Sequence, residues 1–215
     1  MCGFSGFLTQ PSSWPIQSAE VLGRMTDVLH HRGPDSRGIW YDAERGIGLG
    51  HRRLSIQDLS AAGHQPMVSA CGRYVIVFNG EIYNYKALRA ELEQQAQYTW
   101  RGHSDTEVLL AAIALWGVQA TLRRCVGMFA LALWDRQDEA LCLARDRMGE
   151  KPLYVGWCGN TLLFGSELKA LRLHPAWRGE IDRSALTLLI RHGYIPAPHC
   201  IYQGIRKLRP GTLVW

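Results

Sequence analysis

Met128-Phe129-Ala130-Leu131-Ala132-Leu133-Trp134, the polar link Asp135-Arg136-Gln137-Asp138-Glu139 and then Ala140-Leu141-Cys142-Leu143-Ala144 form the stretch that decides the fold. Two apolar runs rich in β-forming residues, joined by a short acidic turn, predict neighbouring antiparallel strands. Similar runs occur at Gly3 to Leu8, Gly46 to Gly50, Tyr74 to Phe78, Leu153 to Trp157 and Leu162 to Phe164. Helical patterns lie between them, at Ala19 to His30, Tyr85 to Gln95, Ser104 to Leu115 and Arg183 to His192. Ser104 and Glu107 have the spacing of a capping box opening the third helix. Helices and strands come in groups rather than in strict βαβ alternation. The expected class is therefore α+β, antiparallel sheets covered by helices. Pro196, Pro198 and Pro210 mark the last fifty residues as a connecting segment, and the chain is expected to be one domain, residues 1–215, of a longer protein.

Composition narrows the function classes. The chain has 215 residues, 47% hydrophobic and 20% charged, enough to bury a sizeable core. Its net charge of +5 is scattered: the richest basic stretches, such as His51-Arg52-Arg53 and Arg206-Lys207-Leu208-Arg209, are only a few residues long. A nucleic-acid reader concentrates its cations on one stripe, so no nucleic-acid partner is expected. Six cysteines form no CxxC pair, which argues against a zinc knuckle or disulfide scaffold and leaves most of them as small buried hydrophobes. No metal site is expected. The N-terminus lacks the charged and apolar regions of a secretory signal, and no run of about 18 apolar residues occurs, so a cytoplasmic protein without a membrane partner is expected.

The chemistry-bearing residues start at position 2. A small residue after the initiator Met permits its removal, which would give Cys2 both a thiol and a free α-amine. An α-amine with a pKa of about 7.7–8.0 can take a thiol proton at neutral pH and later return it to a leaving amine. Phe78-Asn79-Gly80-Glu81 follows an apolar run; read alone it suits a hairpin turn, and the alternative is an oxyanion hole made of the Asn79 amide and the Gly80 N–H. Arg53, Glu81 and Asp105 could be solvated charges, or together the cation and carboxylates that a zwitterionic amino acid requires. His31-Arg32-Gly33-Pro34-Asp35 reads as a helix stop and turn, with a catalytic His31–Asp35 pair as the sharper alternative. His64-Gln65-Pro66 and Arg145-Asp146-Arg147-Met148-Gly149 read as loop and ion-pair material. None of these stretches matches a phosphate-binding loop.

Taken together, Met1-Cys2-Gly3, Arg32-Gly33-Pro34-Asp35, His51-Arg52-Arg53-Leu54-Ser55-Ile56, Gln65-Pro66, Phe78-Asn79-Gly80-Glu81-Ile82-Tyr83-Asn84 and Ser104-Asp105-Thr106-Glu107 resemble the class II glutamine amidotransferases. The resemblance continues through Gly127-Met128-Phe129-Ala130, Ala144-Arg145-Asp146-Arg147, Gly149-Glu150-Lys151-Pro152-Leu153-Tyr154 and Ser166-Glu167-Leu168-Lys169-Ala170-Leu171, and it favours the asparagine synthetase branch. It implies an N-terminal nucleophile hydrolase fold: a four-layer αββα sandwich of two antiparallel sheets between helical layers. It also implies that Cys2 attacks glutamine, that Asn79 and Gly80 hold the oxyanion, and that Arg53, with Leu54 and Ile56 beside it, Glu81 and Asp105 bind the amino-acid head group. No cofactor is implied for this domain. ATP and magnesium belong to a C-terminal synthetase domain of the same polypeptide, which would use the ammonia to make asparagine or a related amide, and a homodimer is compatible with the resemblance. The competing readings are hydrolysis of another amide and a non-catalytic glutamine-binding module.

Overall fold

The structure is a computed structural model that describes residues 1–10 and 18–215. Its first sheet contains β1 (Gly3–Thr9), β2 (Ser36–Asp42), β3 (Ile47–Arg53), β8 (Tyr154–Cys158), β9 (Thr161–Gly165) and β10 (Ile205–Lys207), in the order β10-β8-β9-β1-β3-β2. The second contains β4 (Met67–Val68), β5 (Tyr74–Ile82), β6 (Gly127–Asp135), β7 (Ala140–Arg145) and β11 (Leu213–Val214), in the order β11-β7-β6-β5-β4. Every neighbouring pair is antiparallel. The helices are α1 (Ser18–Asp27), α2 (Tyr85–Gln95), α3 (Asp105–Trp116), α4 (Val118–Arg124), α5 (Leu168–Leu171) and α6 (Arg183–His192).

Side chains alternate across a strand, so each sheet offers two apolar faces, and both are used. Phe4, Ile47 and Leu49 from the first sheet meet Val75, Val77, Ala130, Ala132 and Leu143 from the second, forming the layer between them. The outer face of the first sheet, with Phe7 and Leu163, packs on Val21, Leu22 and Met25 of α1 and Leu171 of α5. The outer face of the second, with Ile76, Phe78, Leu131 and Leu133, packs on Leu88 and Leu92 of α2 and Val108, Leu109 and Ile113 of α3. The expected four layers are therefore present. Burial of each large apolar side chain contributes roughly 1.5–3 kcal/mol, so the sandwich is held from three interfaces at once. Glycine lets α1 approach closely: a Cβ on Gly50 would lie 2.0 Å from Thr26 Oγ1.

Several expectations need correction. The strand expected at Tyr74 to Phe78 does not stop at a turn: β5 continues to Ile82, with Asn79 opposite Ala130 and Gly80 opposite Phe129. Asn79-Gly80 thus lies inside a ladder, where the missing Cβ matters because it would come 2.3 Å from the Met128 carbonyl oxygen. The Ser104–Glu107 box is only half made. Ser104 Oγ accepts the Glu107 N–H at 3.2 Å, but the Glu107 carboxylate takes the N–H groups of Arg101 and Gly102 at 2.8 and 3.0 Å. The last fifty residues are not simply a connector, because β10 extends one sheet beside β8 and β11 the other beside β7.

The two sheets are also joined by a polar contact. His51 on β3 is fully buried and its Nε2 lies 3.0 Å from the Phe78 carbonyl oxygen on β5, to which the neutral ring donates. Burial, the larger effect, lowers its pKa to about 3 although the bond to Phe78 opposes the shift. The folded state therefore keeps His51 neutral while the unfolded chain takes a proton below about 6.5, so stability present above that pH is lost as the pH falls toward 3. His51→Gln, which keeps a side-chain donor and removes the titration, should flatten the fall in thermal stability between pH 6.5 and 4. The expected difference is on the order of 1 kcal/mol per pH unit, read as melting temperature against pH for the two proteins.

Candidate functional site

Strand alternation gathers the site. Cys2 precedes β1 with the same parity as Phe4, Arg53 ends β3 with the parity of Leu49, and Asn79 and Glu81 share the parity of Val77, so all four project into the layer between the sheets. Asp105 comes from the start of α3, and Cys2, Arg53, Leu54, Ile56, Asn79, Gly80, Glu81 and Asp105 line one pocket. The structure thus brings all eight expected site residues together. Leu54 contributes backbone: its N–H lies 3.4 Å from Cys2 Sγ, whose thiol faces the Leu54 carbonyl at 3.6 Å. Ile56 is 73% exposed and forms part of the rim.

The β5 edge explains how Gly80 faces the pocket. The N–H and C=O of Phe129, opposite Gly80, are both bonded to Asp146, at 3.2 Å to its carboxylate and 2.8 Å to its backbone N–H. An antiparallel partner of a residue turned outward is itself turned outward, so the Gly80 N–H points away from β6. The same edge carries the Phe78 N–H, taken by Gln65 Oε1 at 2.6 Å, and the Ile82 N–H, taken by Asp105 Oδ2 at 2.8 Å. Between these two capped groups the Gly80 N–H is directed at the pocket. Asn79 Nδ2 is buried beside it without a hydrogen-bond partner, as is Gln57 Oε1, whose amide nitrogen holds Glu81 Oε1 at 3.0 Å.

Charges in the pocket are set by burial. The Cys2 thiol is pushed up chiefly by desolvation; the Leu54 N–H, the chain's N-terminal charge and Arg53 pull it down, and Asp105 adds to the rise. At neutral pH it is a thiol that needs a base. Burial also raises Asp105 to about 6, with Glu81 adding to the shift and the Ile82 and Thr106 hydrogen bonds opposing it. Arg53 is 9% exposed and ties down the loop after β3, donating to the Ser60 carbonyl at 2.9 Å and to that of Asp58. Arg32 Nε donates to the Cys2 carbonyl at 2.8 Å, while its Nη1 meets Glu167 at 2.9 Å. Met1 is present, 59% exposed, and lines the pocket, so in this form the Cys2 nitrogen is a peptide amide.

The His31–Asp35 pair does not form: His31 meets Glu167 at 3.0 Å, and Asp35 accepts the Ser55 N–H at 2.7 Å. Sequence reasoning missed Gln57, Gln65 and Lys151, all of which line the pocket. Gln65 and Lys151 lay inside quoted motifs but had no assigned partner, and Gln57 is one residue beyond one. Among the described residues, no three His, Cys, Asp or Glu side chains gather as a metal site, and no helix is long and apolar enough to cross a membrane. Cys125, Cys142, Cys158 and Cys200 are buried free thiols, as expected of small hydrophobes.

Two antiparallel sheets between helices, with a half-buried thiol at residue 2 and an unpartnered amide lining one charged pocket, define an amidotransferase-type site. A family model described as a glutamine amidotransferase domain matches residues 1–215, and the chain belongs to that family. It is 39% identical over 213 residues to asparagine synthetase [glutamine-hydrolyzing] 1 of Bacillus subtilis, covering 99% of this chain and 33% of that protein. It is 36% identical over 222 residues to amidase chry2 of Gibberella zeae, covering 98% of this chain and 32% of that one. The chain thus spans about a third of the length of the curated relatives it matches. A solved structure described as the allosteric regulatory enzyme of purine biosynthesis superposes with a TM-score of 0.69 at 19% identity, covering 99% of this chain and 46% of that chain, and shares the fold.

Asp105 gives a direct check of this geometry. A carboxylate raised to about 6 from an ordinary value near 3.8 adds stability that is complete below 3.8 and is lost as the pH rises through 6. Asp105→Asn, which can still accept the Ile82 N–H, should therefore raise the melting temperature at pH 7.5 and leave it nearly unchanged at pH 3.5. Differential scanning calorimetry at the two pH values reads this; equal effects at both would remove the ionisation from the account.

Proposed function

We propose that this chain is the glutaminase part of an asparagine synthetase-like amidotransferase, hydrolysing glutamine to glutamate and ammonia through a thioester on Cys2. The observation that carries the reading is the convergence of a half-buried thiol, an unpartnered amide donor and three opposed charges on one pocket. Removal of Met1 turns the Cys2 nitrogen into an α-amine one residue's reach from its own thiol. Because burial holds the thiol protonated, that amine is the base the reaction requires.

The thiol proton moves to the amine as sulfur attacks the carboxamide carbon. The oxyanion that develops is met by Asn79 Nδ2–H and the Gly80 N–H, donors already aimed at the pocket, so stabilising the charge requires no reorganisation. The ammonium then gives its proton to the amide nitrogen of the intermediate, whose C–N bond breaks to release ammonia and leave a γ-glutamyl thioester. Water, deprotonated by the same amine, releases glutamate and restores the thiol. Arg53 pairs with the substrate α-carboxylate, with Leu54 and Ile56 lining its approach, while Glu81, steadied by Gln57, and Asp105 receive the α-ammonium. An ammonium arriving beside Asp105 offsets the cost of ionising that buried carboxylate, which ties recognition of a free amino acid to the pocket's charge.

The ammonia passes to an ATP- and magnesium-dependent synthetase portion of a longer polypeptide, which forms asparagine or a related amide; the length of the relatives supports this division. Attack on a thioester by water needs only the Cys2 site, so residues 1–215 alone should convert glutamine to glutamate and ammonia without ATP and make no amidated product. Ammonia release by the Met1-processed protein should be abolished by Cys2→Ala and reduced on the order of a hundredfold in kcat, about 3 kcal/mol, by Asn79→Ala, with a smaller change in glutamine binding. Arg53→Lys, Glu81→Ala and Asp105→Asn should instead raise KM, because each leaves one end of the zwitterion unpaired. Normal glutamine kinetics in all three head-group variants would assign the pocket to a different amide.

A further inference from the structure

Lys151 has no task in the scheme above, yet the structure takes trouble over it. The side chain is 6% exposed and lines the pocket, with Nζ 3.3 Å from Met1 Sδ. Among the described residues it enters no ion pair, although a buried ammonium normally requires one. The loop that presents it is pinned at several points. The Asp146 carboxylate takes the N–H groups of Met148, Glu150 and Lys151 at 3.0, 3.0 and 3.1 Å. The Arg145 guanidinium donates to the carbonyls of Lys151, Leu208 and Gly149 at 2.7, 2.7 and 2.5 Å. Arg145-Asp146-Arg147-Met148-Gly149, expected to be ion-pair material, instead spends both its leading charges on backbone, and the result is a fixed lysine aimed at the N-terminal residue.

We infer that Lys151 is the electrostatic partner of the Cys2 nucleophile, its ammonium favouring loss of the proton held between the Cys2 α-amine and thiol once Met1 is removed. The inference rests on the reading of Cys2 given above and adds a residue to it. A positive charge next to two groups that exchange one proton lowers the combined protonation of the pair, whichever atom carries the proton. It acts against burial and against Asp105 from α3, the carboxylate that raises the Cys2 thiol; Glu81 from β5 and Asp58 from the loop after β3 are the other acidic groups lining the pocket. Arg53, at the end of β3, acts in the same direction as Lys151 but is engaged by the Asp58 and Ser60 carbonyls. Lys151 acts on the nucleophile through space, so it is a tuning residue rather than a catalytic one.

The test is Lys151→Met, which keeps the length and removes the charge, with Lys151→Arg as the conservative variant. The acid limb of the pH profile of kcat/KM should move toward alkali by about one unit in Lys151→Met, a loss of about tenfold at pH 7 that is recovered near pH 9. Lys151→Arg should retain the original limb, and inhibition by glutamate should be unchanged in both. The rate of Cys2 alkylation by iodoacetamide, followed against pH without substrate, should show the same displacement, also in an Asp105→Asn background where that carboxylate no longer titrates. A loss equal at every pH, or one accompanied by weaker glutamate inhibition, would overturn the inference and make Lys151 a structural or substrate-holding group. Glutaminase activity in Cys2→Ala would instead overturn the underlying reading, so the two failures are distinguishable.

Discussion

The Asp146 carboxylate is the constraint on which the site depends. One oxygen holds the Phe129 and Lys151 N–H groups and the other those of Met148 and Glu150, so one buried side chain fixes the start of β6 and the turn after β7 together. Because Phe129 is committed to Asp146, β6 leaves the Gly80 backbone unpaired on its side, and the N–H of Gly80 turns to the pocket. The same carboxylate sets the backbone of Lys151. Donor and cation therefore reach the pocket through one anchor, although they come from different strands' ends.

Around that anchor the sandwich does something a single sheet could not. The inter-sheet layer is apolar along most of its length, with Phe4, Leu49, Val77 and Ala132 in contact, and becomes polar only where β1 begins and β3 and β5 end. Continuing the same alternation past the apolar part substitutes Cys2 for a core residue on β1, Arg53 on β3, and Asn79 and Glu81 on β5. These polar groups thus inherit the rigidity and low dielectric of a core while remaining open to solvent at one end, which strengthens every charge in the pocket. The raised Cys2 thiol and Asp105 carboxyl are the direct signs of that environment.

Much of this was legible in the sequence. The apolar runs of β5, β6 and β7 and the periodicity of α2 and α3 carry their own signals, since burying an alternating or a 3.6-period face leaves a pattern. Strands held only by neighbours do not: β4 and β11 are two residues long, and β2 mixes Ser36, Arg37, Trp40 and Asp42 at an edge. Asn79-Gly80 misled because a dipeptide that suits a tight turn also suits a strand that must pass close to a carbonyl, and only the Met128 contact distinguishes them. Among the residues that line the pocket, Cys2, Arg53, Asn79, Glu81 and Asp105 were candidates in the sequence because of the chemistry they could perform. Gln57, Gln65 and Lys151 were not, because their meaning lies in partners 13 to 150 positions away. Asp146 was misread for a related reason: it is a carboxylate that serves backbone N–H groups, and sequence suggests charge pairs more readily than backbone caps, while Glu107 was expected to cap backbone but caps Arg101 and Gly102 instead of its own helix start.

The central claim is a covalent one, that the carbonyl carbon of glutamine is carried on the sulfur of a processed residue 2. Rapid acid quenching of the protein during glutamine turnover, followed by intact and peptide mass spectrometry, tests it most directly. The account predicts a chain without Met1 that carries one γ-glutamyl group on the Cys2 peptide, labile to hydroxylamine and absent from Cys2→Ala. Full turnover by a chain that retains Met1, or an adduct on any other residue, would contradict it.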